Sequence, residues 1–448
     1  MISFGKRIEL MTDRYLIASA EGVTMQLEQP RERGKVLGFE KPWEGPGSLG
    51  LSVLQDGENV KLYYRGYPYD DGGVGDYSAL QTSCLAVSGD GLHFERCPVN
   101  RIAYKGIAEN NIVKMDVACH NFAPFYDTNP ACRPEERYKA IGGIAGKAGI
   151  GGMHVYAGAD GITWRDLTGG PVIDYGEFDS MNMAFWDPHA GLYRCYIRYF
   201  DRDVCPAHAP WGIRAIRSAT SADFIHWTPT VHNEYPEGLT DQLYTNATRP
   251  IPGAEHILLS IPMRFQESRK KFPDYRYPGV SDALLMTSRD GVHWTLPVRD
   301  AWLSGGLSPH EWTQRNFISL GGIVEKGSDF LLYAMKNYMW EDGGIWVYSV
   351  PRYRLACLYA DGSDGRFTTP ALAFETDDIH LNFATSAYGS VQVRVRSDSG
   401  AERCEELYGN ELSCPLHIEG LSGTTGTLEI TLREARLYAM GADMGAKA

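Results

Sequence analysis

A short pattern returns four times along the chain, as "SGDGLHF" at 88–94, "GADGITW" at 158–164, "SADFIHW" at 221–227 and "SRDGVHW" at 288–294. The aspartates fall at 90, 160, 223 and 290, so the copies are 70, 63 and 67 residues apart. A weaker fifth copy is "GSDGRF" at 362–367. Asp-Gly is a hairpin turn signal, and the aromatic residue four places after each Asp can cap a sheet edge. Alternating strand-like runs precede the copies, among them "VKLYYRGY", "YRCYIRYF", "HILLSIPM" and "DFLLYAMK". Helical periodicity is scarce. A unit of about four strands repeated around five times predicts a β-propeller, whose blades shield one another's edges. A β-sandwich or β-helix with accidental turn similarity is the competing reading, and the shared offset of Asp and aromatic in four copies disfavours it. The spacing exceeds the ~40–50 residues of common propeller repeats, which predicts long loops, where function tends to sit.

The texture changes near residue 372. "IHLNFATSAYGSVQVRVRSDSGAE" and "GTLEITLREARLYAM" read as short antiparallel strands with Gly and Ser turns. The expectation is an all-β chain: a five-bladed propeller over 1–370 and a C-terminal β-sandwich over 371–448. A length of 448 residues suits two such units. The 26 Tyr, 10 Trp and 49 Gly suit a turn-rich β architecture and sugar-stacking surfaces alike.

A net charge of −13 argues against a nucleic-acid partner, since "SRKKF" at 268–272 is the one basic cluster. Nine scattered Cys without a CxxC pair predict reduced thiols and a cytoplasmic protein. Lys6, Arg7, Glu9, Asp13 and Arg14 interrupt any leader-like apolar run, and no stretch reaches a membrane span of roughly 18 residues. No cofactor or metal is expected: the 12 His show no ligand spacing. "GGIAGKAGIGG" at 142–152 lacks the GK[ST] of a phosphate loop and reads as a hairpin. The sequence leaves homo-oligomerisation undecided.

In a propeller the first residues of each inner strand converge on one mouth of the central channel. The segments in question are "KPWEGPGS" (Trp43, Glu44), "ACHNFAPFYD" (His120, Asn121), "FDSMNM" (Asp179), "TDQLYTNA" (Asp241, Gln242, Tyr244) and "HEWTQRNF" (Glu311, Trp312, Arg315). An acid at the mouth of an apolar strand gains nothing from burial, whereas an active site uses one. Carboxylates, aromatics and hydroxyl-binding groups gathered at one place are what glycosidic bond cleavage requires. Glu44, Asp241 and Glu311 each have a structural reading as loop residues, and His120 as a hydrogen-bonded core histidine.

The segments "RIELMTDRYLI", "FEKPWEGPGS", "HNFAPFYDTNP", "FDSMNMAFWD", "LYTNATRP" and "VSDALLMTSRDG" resemble bacterial glycosyl hydrolase-like propeller proteins related to glycoside hydrolase families 32, 43 and 130. With further matches the resemblance runs from about residue 7 to 440. It implies a five-bladed propeller with a C-terminal β-sandwich, and acids on the inner strands of the first three blades. Glu44 and Asp179 answer to the first and third. His120 and Asn121 stand where the second acid is expected, with Asp116 and Asp127 only nearby. The reading is therefore an exo-acting glycoside hydrolase with Asp179 as general acid, Glu44 as nucleophile or base and Asp241 assisting. Arg264 and Arg315 would hold a substrate hydroxyl or carboxylate, beside Trp43, His120, Asn121, Tyr244, Glu311 and Trp312. The partner would be a small oligosaccharide or glycoside. A non-catalytic sugar-binding propeller and a phosphorylase are the alternatives.

Overall fold

The computed structural model describes residues 1–68, 81–143, 151–201, 212–275, 277–400 and 402–445. The centre of the glycine-rich stretch and Cys205 lie outside them. Strand dominates these residues, and the helical elements among them are three short 3-10 turns. The first sheet holds Leu49–Asp56, Asn59–Gly66, Thr82–Ser88, Glu95–Arg96 and Ile112–Lys114. The second holds Ala123–Tyr126, Tyr138–Gly142, His154–Gly158 and Arg165–Asp166; the third, Met183–Asp187, Leu192–Asp201, Ile213–Ser221 and Val231–His232. These strands read as near-continuous apolar runs because they pack on both faces.

The fourth region consists of two three-stranded pieces. Gln242–Leu243, Met263–Gln266 and Val280–Ala283 form one, and Arg249–Ile251, Ala254–Ser260 and Met286–Ser288 the other. Each strand of one piece follows or precedes a strand of the other, so we treat the two as a fourth sheet broken midway. The fifth contains Ile318–Ser319, Val324–Lys326, Asp329–Lys336 and Gly344–Pro351, and its edge is completed by Arg31–Gly38 from the opposite end of the chain.

The repeated turn links neighbouring sheets. In each copy the Asp carboxylate accepts the backbone N–H groups two and three residues on, as in Leu92 and His93 on Asp90, both at 2.8 Å. The residue after the Asp then sits at positive φ: 75° at Gly91, 74° at Gly161, 70° at Phe224 and 83° at Gly291. The carbonyl of each glycine accepts a tyrosine hydroxyl from the preceding sheet. Tyr63 reaches Gly161 at 2.8 Å and Tyr196 reaches Gly291 at 3.0 Å. Tyr333 of the fifth sheet reaches Gly91 of the first at 2.8 Å. A side chain at any of these glycines would run into that tyrosine. Phe224 uses its ring instead, 5.5 Å from Phe125 of the second sheet. The aromatic residue closing the motif joins the lock, with Trp164 edge-on to Tyr63 and Trp294 edge-on to Tyr196. Where an edge cap was expected, the structure shows an inter-sheet lock.

A contact of another kind joins the fourth and fifth sheets. Tyr353, after the fifth sheet, packs on Gly253 of the fourth. Val53 and Gly321 bridge the first and fifth directly, with an N–H to carbonyl distance of 3.0 Å. Residues on or beside the leading strands of all five sheets, among them Val53, Phe125, Phe185, Arg249 and Ile323, line one cavity of about 770 Å³.

The remaining strands build an eleven-stranded sheet around Thr425–Gly441 and Asp378–Ser397. The expected boundary at 370 needs correction in two places. Ile2–Phe4, Ile8–Leu10, Ser19–Glu21 and Thr24–Leu27 pair into this sheet, as do Ala356–Ala360 and Gly365–Thr368. The apolar residues of both chain ends, including Phe4, Met11, Leu16 and Leu358, share one core with Leu381, Val393 and Leu437. The fifth motif copy falls here too: Gly365–Thr368 pairs with Ser19–Glu21 and takes no part in the inter-sheet locks. The eight described cysteines are unpaired.

Candidate functional site

The segments leading into the first strands of the second and third sheets are tied together. Asp116 caps the 3-10 turn Val117–Asn121 by accepting the Ala118 N–H at 2.9 Å, which turns His120 and Asn121 toward the third sheet. Asn121 Nδ2 donates to the Phe178 carbonyl at 2.8 Å, and His120 Nε2 meets the Asp179 carbonyl at 3.1 Å. His120 Nδ1 faces the Gln81 side-chain amide at 2.8 Å. Burial, reinforced by the nearby Arg65 guanidinium, pushes the imidazole down to about 3, so it is neutral. Ser180 Oγ donates to the Tyr244 carbonyl at 2.8 Å, bringing in the fourth sheet. His120 and Asn121 are thus positioning residues that fix the backbone bearing Asp179.

The Asp179 carboxylate, half exposed, is paired with Arg198, which is 1% exposed. Burial alone would raise its pKa. The guanidinium of Arg198, with that of Arg315, outweighs that and holds the carboxyl below its usual range. Arg198 therefore favours the charged form of Asp179. Glu177 approaches the same Arg198 at 4.0 Å.

Tyr244 lies among three arginines. Arg315 Nη2 donates to its hydroxyl at 3.2 Å, and the guanidiniums of Arg214 and Arg198 lie 4.8 and 5.3 Å from its ring centre. Burial opposes ionisation of the phenol, but Arg315, Arg198 and Arg214 lower its pKa overall. Arg315 also donates to the Tyr338 hydroxyl at 2.9 Å, and Arg65 reaches the Gly47 carbonyl at 2.8 Å and Tyr338 at 3.5 Å. Arg315, Phe317, Asn337 and Met339 all adopt positive φ. Non-glycine residues there cost about 1–3 kcal/mol each, and such strain gathers at functional sites.

Asp179, His120, Asn121, Tyr244 and Arg315 are thus brought together. The others have different neighbours. Glu44 is buried, and its two oxygens accept from Arg96 at 2.7 and 2.8 Å, from Tyr64 at 2.5 Å, and from the amides of Glu40 and Lys41. Trp43 donates to Asn111 at 3.0 Å and packs in the core beside Tyr104. Asp241 lies 4.0 Å from Arg264 and Arg299, and Arg264 is held by Asp282 at 2.6 and 2.8 Å. Glu311 is paired with Lys336 at 2.7 Å, and Trp312 donates to Gly306 at 2.8 Å.

Sequence reasoning missed Arg65, Arg198, Arg214 and Tyr338. The signal was in "LYYRGY" and "CYIRYF", where an arginine interrupts an otherwise apolar strand. A charge buried in such a run has to have a purpose.

No protein-family model and no curated protein matches the sequence. Several solved structures similar to the chain are glycoside hydrolases by description, and another is described as an N-acetylgalactosamine deacetylase. One described simply as a glycoside hydrolase has 11% identity and a TM-score of 0.48, over 72% of this chain and 92% of its own. A Bombyx mori family 32 β-fructofuranosidase has 9% identity and a TM-score of 0.42, over 96% and 94%. A member of family 130, a family of mannoside phosphorylases with hydrolases that target β-1,2 mannosidic linkages, has 14% identity and a TM-score of 0.41, over 73% and 94%.

Proposed function

We propose that the five sheets are the blades of a β-propeller braced by a β-sandwich built from both chain ends, and that the chain is an exo-acting glycoside hydrolase. One observation carries the reading. Asp179, Tyr244 and Arg315 meet at one place, although each stands beside the first strand of a different sheet. Cleavage needs an ionised group at the anomeric carbon and a proton for the leaving oxygen. Asp179 supplies the first, attacking directly or taking the proton of an attacking water. Tyr244 supplies the second. As the glycosidic C–O bond breaks, its oxygen takes the phenolic proton, and the phenolate left behind faces Arg315. Glu44, with every oxygen committed, has no part in this scheme.

The test is turnover of a panel of aryl glycosides and natural oligosaccharides by the full chain, with and without phosphate. Asp179→Asn should lower turnover of whichever glycoside is cleaved by about 10²-fold or more. Tyr244→Phe should slow substrates with poor leaving groups far more than those with good ones, and should remove the alkaline limb of the pH profile. A reaction untouched by Asp179→Asn would sink the assignment. The gathering of arginines also favours a phosphorylase as a second reading, and strict dependence of turnover on phosphate would select it.

A further inference from the structure

Among the described residues, the site gathers more arginines than carboxylates paired with them. Arg65 and Arg198 are 3% and 1% exposed, yet the hydrogen bonds of Arg65 to described groups go to uncharged partners. Arg315 donates to two phenols. Asp179 and, farther off, Glu177 are the carboxylates that meet Arg198. The Nε atoms of Arg65, Arg198 and Arg315 and Nη1 of Arg198 have no hydrogen-bond partner among the described residues. Burial, with Arg315 nearby, makes the Arg65 charge costly enough to lower its pKa. Guanidiniums collected in this way, in a chain of net charge −13, are stabilised by an anion from outside.

The kind of anion follows from the donors. The described basic groups around Tyr244 are guanidiniums, and no lysine is recorded among its charged neighbours. Planar forks match a planar carboxylate in pairs of parallel hydrogen bonds. Phosphate sites commonly add a lysine or a cradle of backbone N–H groups.

We infer that the sugar taken by this site is an acidic one, its carboxylate held by Arg198 and Arg315 with Arg65 adding charge behind them. The inference rests on the hydrolase site proposed above, but its test is binding and needs no turnover. The full chain would be titrated calorimetrically with glucuronate and galacturonate, with their methyl esters, with glucose and galactose, and with inorganic phosphate. At least one uronate should bind, and its methyl ester and neutral counterpart should bind tenfold or more weakly. Arg315→Lys, which keeps the charge but loses the fork, should cut uronate affinity about tenfold. Arg315→Gln should cut it further.

Equal binding of acid and ester, phosphate binding without uronate binding, or no uronate binding at tens of millimolar each overturns the inference. A neutral glycoside cleaved in an Asp179-dependent way, without uronate binding, would remove this inference and leave the hydrolase reading standing. Uronate binding with no glycoside cleaved would do the reverse.

Discussion

Glu44 and Asp179 each stand in a segment leading into the first strand of a sheet, and each meets one arginine. In the first region Arg96, Tyr64 and two backbone amides use every oxygen of Glu44 inside the core. In the second, Arg198 and the half-exposed Asp179 pair at the edge of an arginine group that the described acids do not neutralise. The difference shows that an ion pair at a strand entrance is structural when its partners saturate it. It can do chemistry when solvent still reaches an oxygen.

The sharpest way to break this comparison is to replace each acid by its amide. Asp179→Asn should lower turnover of a cleaved glycoside by about 10²- to 10⁴-fold, the range of a removed general base. In the wild type the acid limb of kcat/KM should lie below the ordinary carboxylate range, because Arg198 favours the charged form. Glu44→Gln should act on stability instead. It leaves Arg96 facing a neutral group in a buried pair and should cost about 3–5 kcal/mol in chemical denaturation. A stable, inactive Glu44→Gln variant would reverse the roles assigned to the two acids.

The inter-sheet locks give a smaller effect. Phe224→Gly should lose about 3–5 kcal/mol of packing against Phe125 and Tyr193, offset by ~1 kcal/mol for relief of its left-handed backbone. Urea denaturation would measure the net destabilisation of about 2–4 kcal/mol that follows from these two figures. Smallest is a pH effect at Asp290. Burial opposes ionisation there, but the Val292 and His293 amides hold the carboxyl down to about 2, below the ordinary aspartate range. Its contribution is fully present above the unfolded pKa and is lost as the pH falls from there through the folded value. Between about pH 5 and pH 2.5 the wild type should therefore lose more of its melting temperature than Asp290→Asn does.

The repeated Asp turn was legible because both its devices are local: a carboxylate over two amides and a residue at positive φ. Its partner was not, since Tyr333 and Gly91 are 242 positions apart. Tyr244 and Arg315 could be picked out as polar residues near strand entrances. Arg65 and Arg198 sat in full view inside apolar runs, and their significance lay in the rule that buried charge needs a reason. Trp43 and Glu44 looked like a sugar-facing pair because type and spacing do not tell whether a neighbouring strand will cover them.

The sequence alone determined the all-β character, the repeated unit and the turns that end it, because alternation, Asp-Gly chemistry and aromatic spacing act over a few residues. Tertiary structure decided the rest. It carried Arg31–Gly38 onto the edge of the last sheet and both chain ends into one core. It also saturated one acid and gathered arginines around the other. Those outcomes depend on charges and hydrogen bonds between residues far apart in the chain, and only the folded neighbourhood sets their burial and their partners.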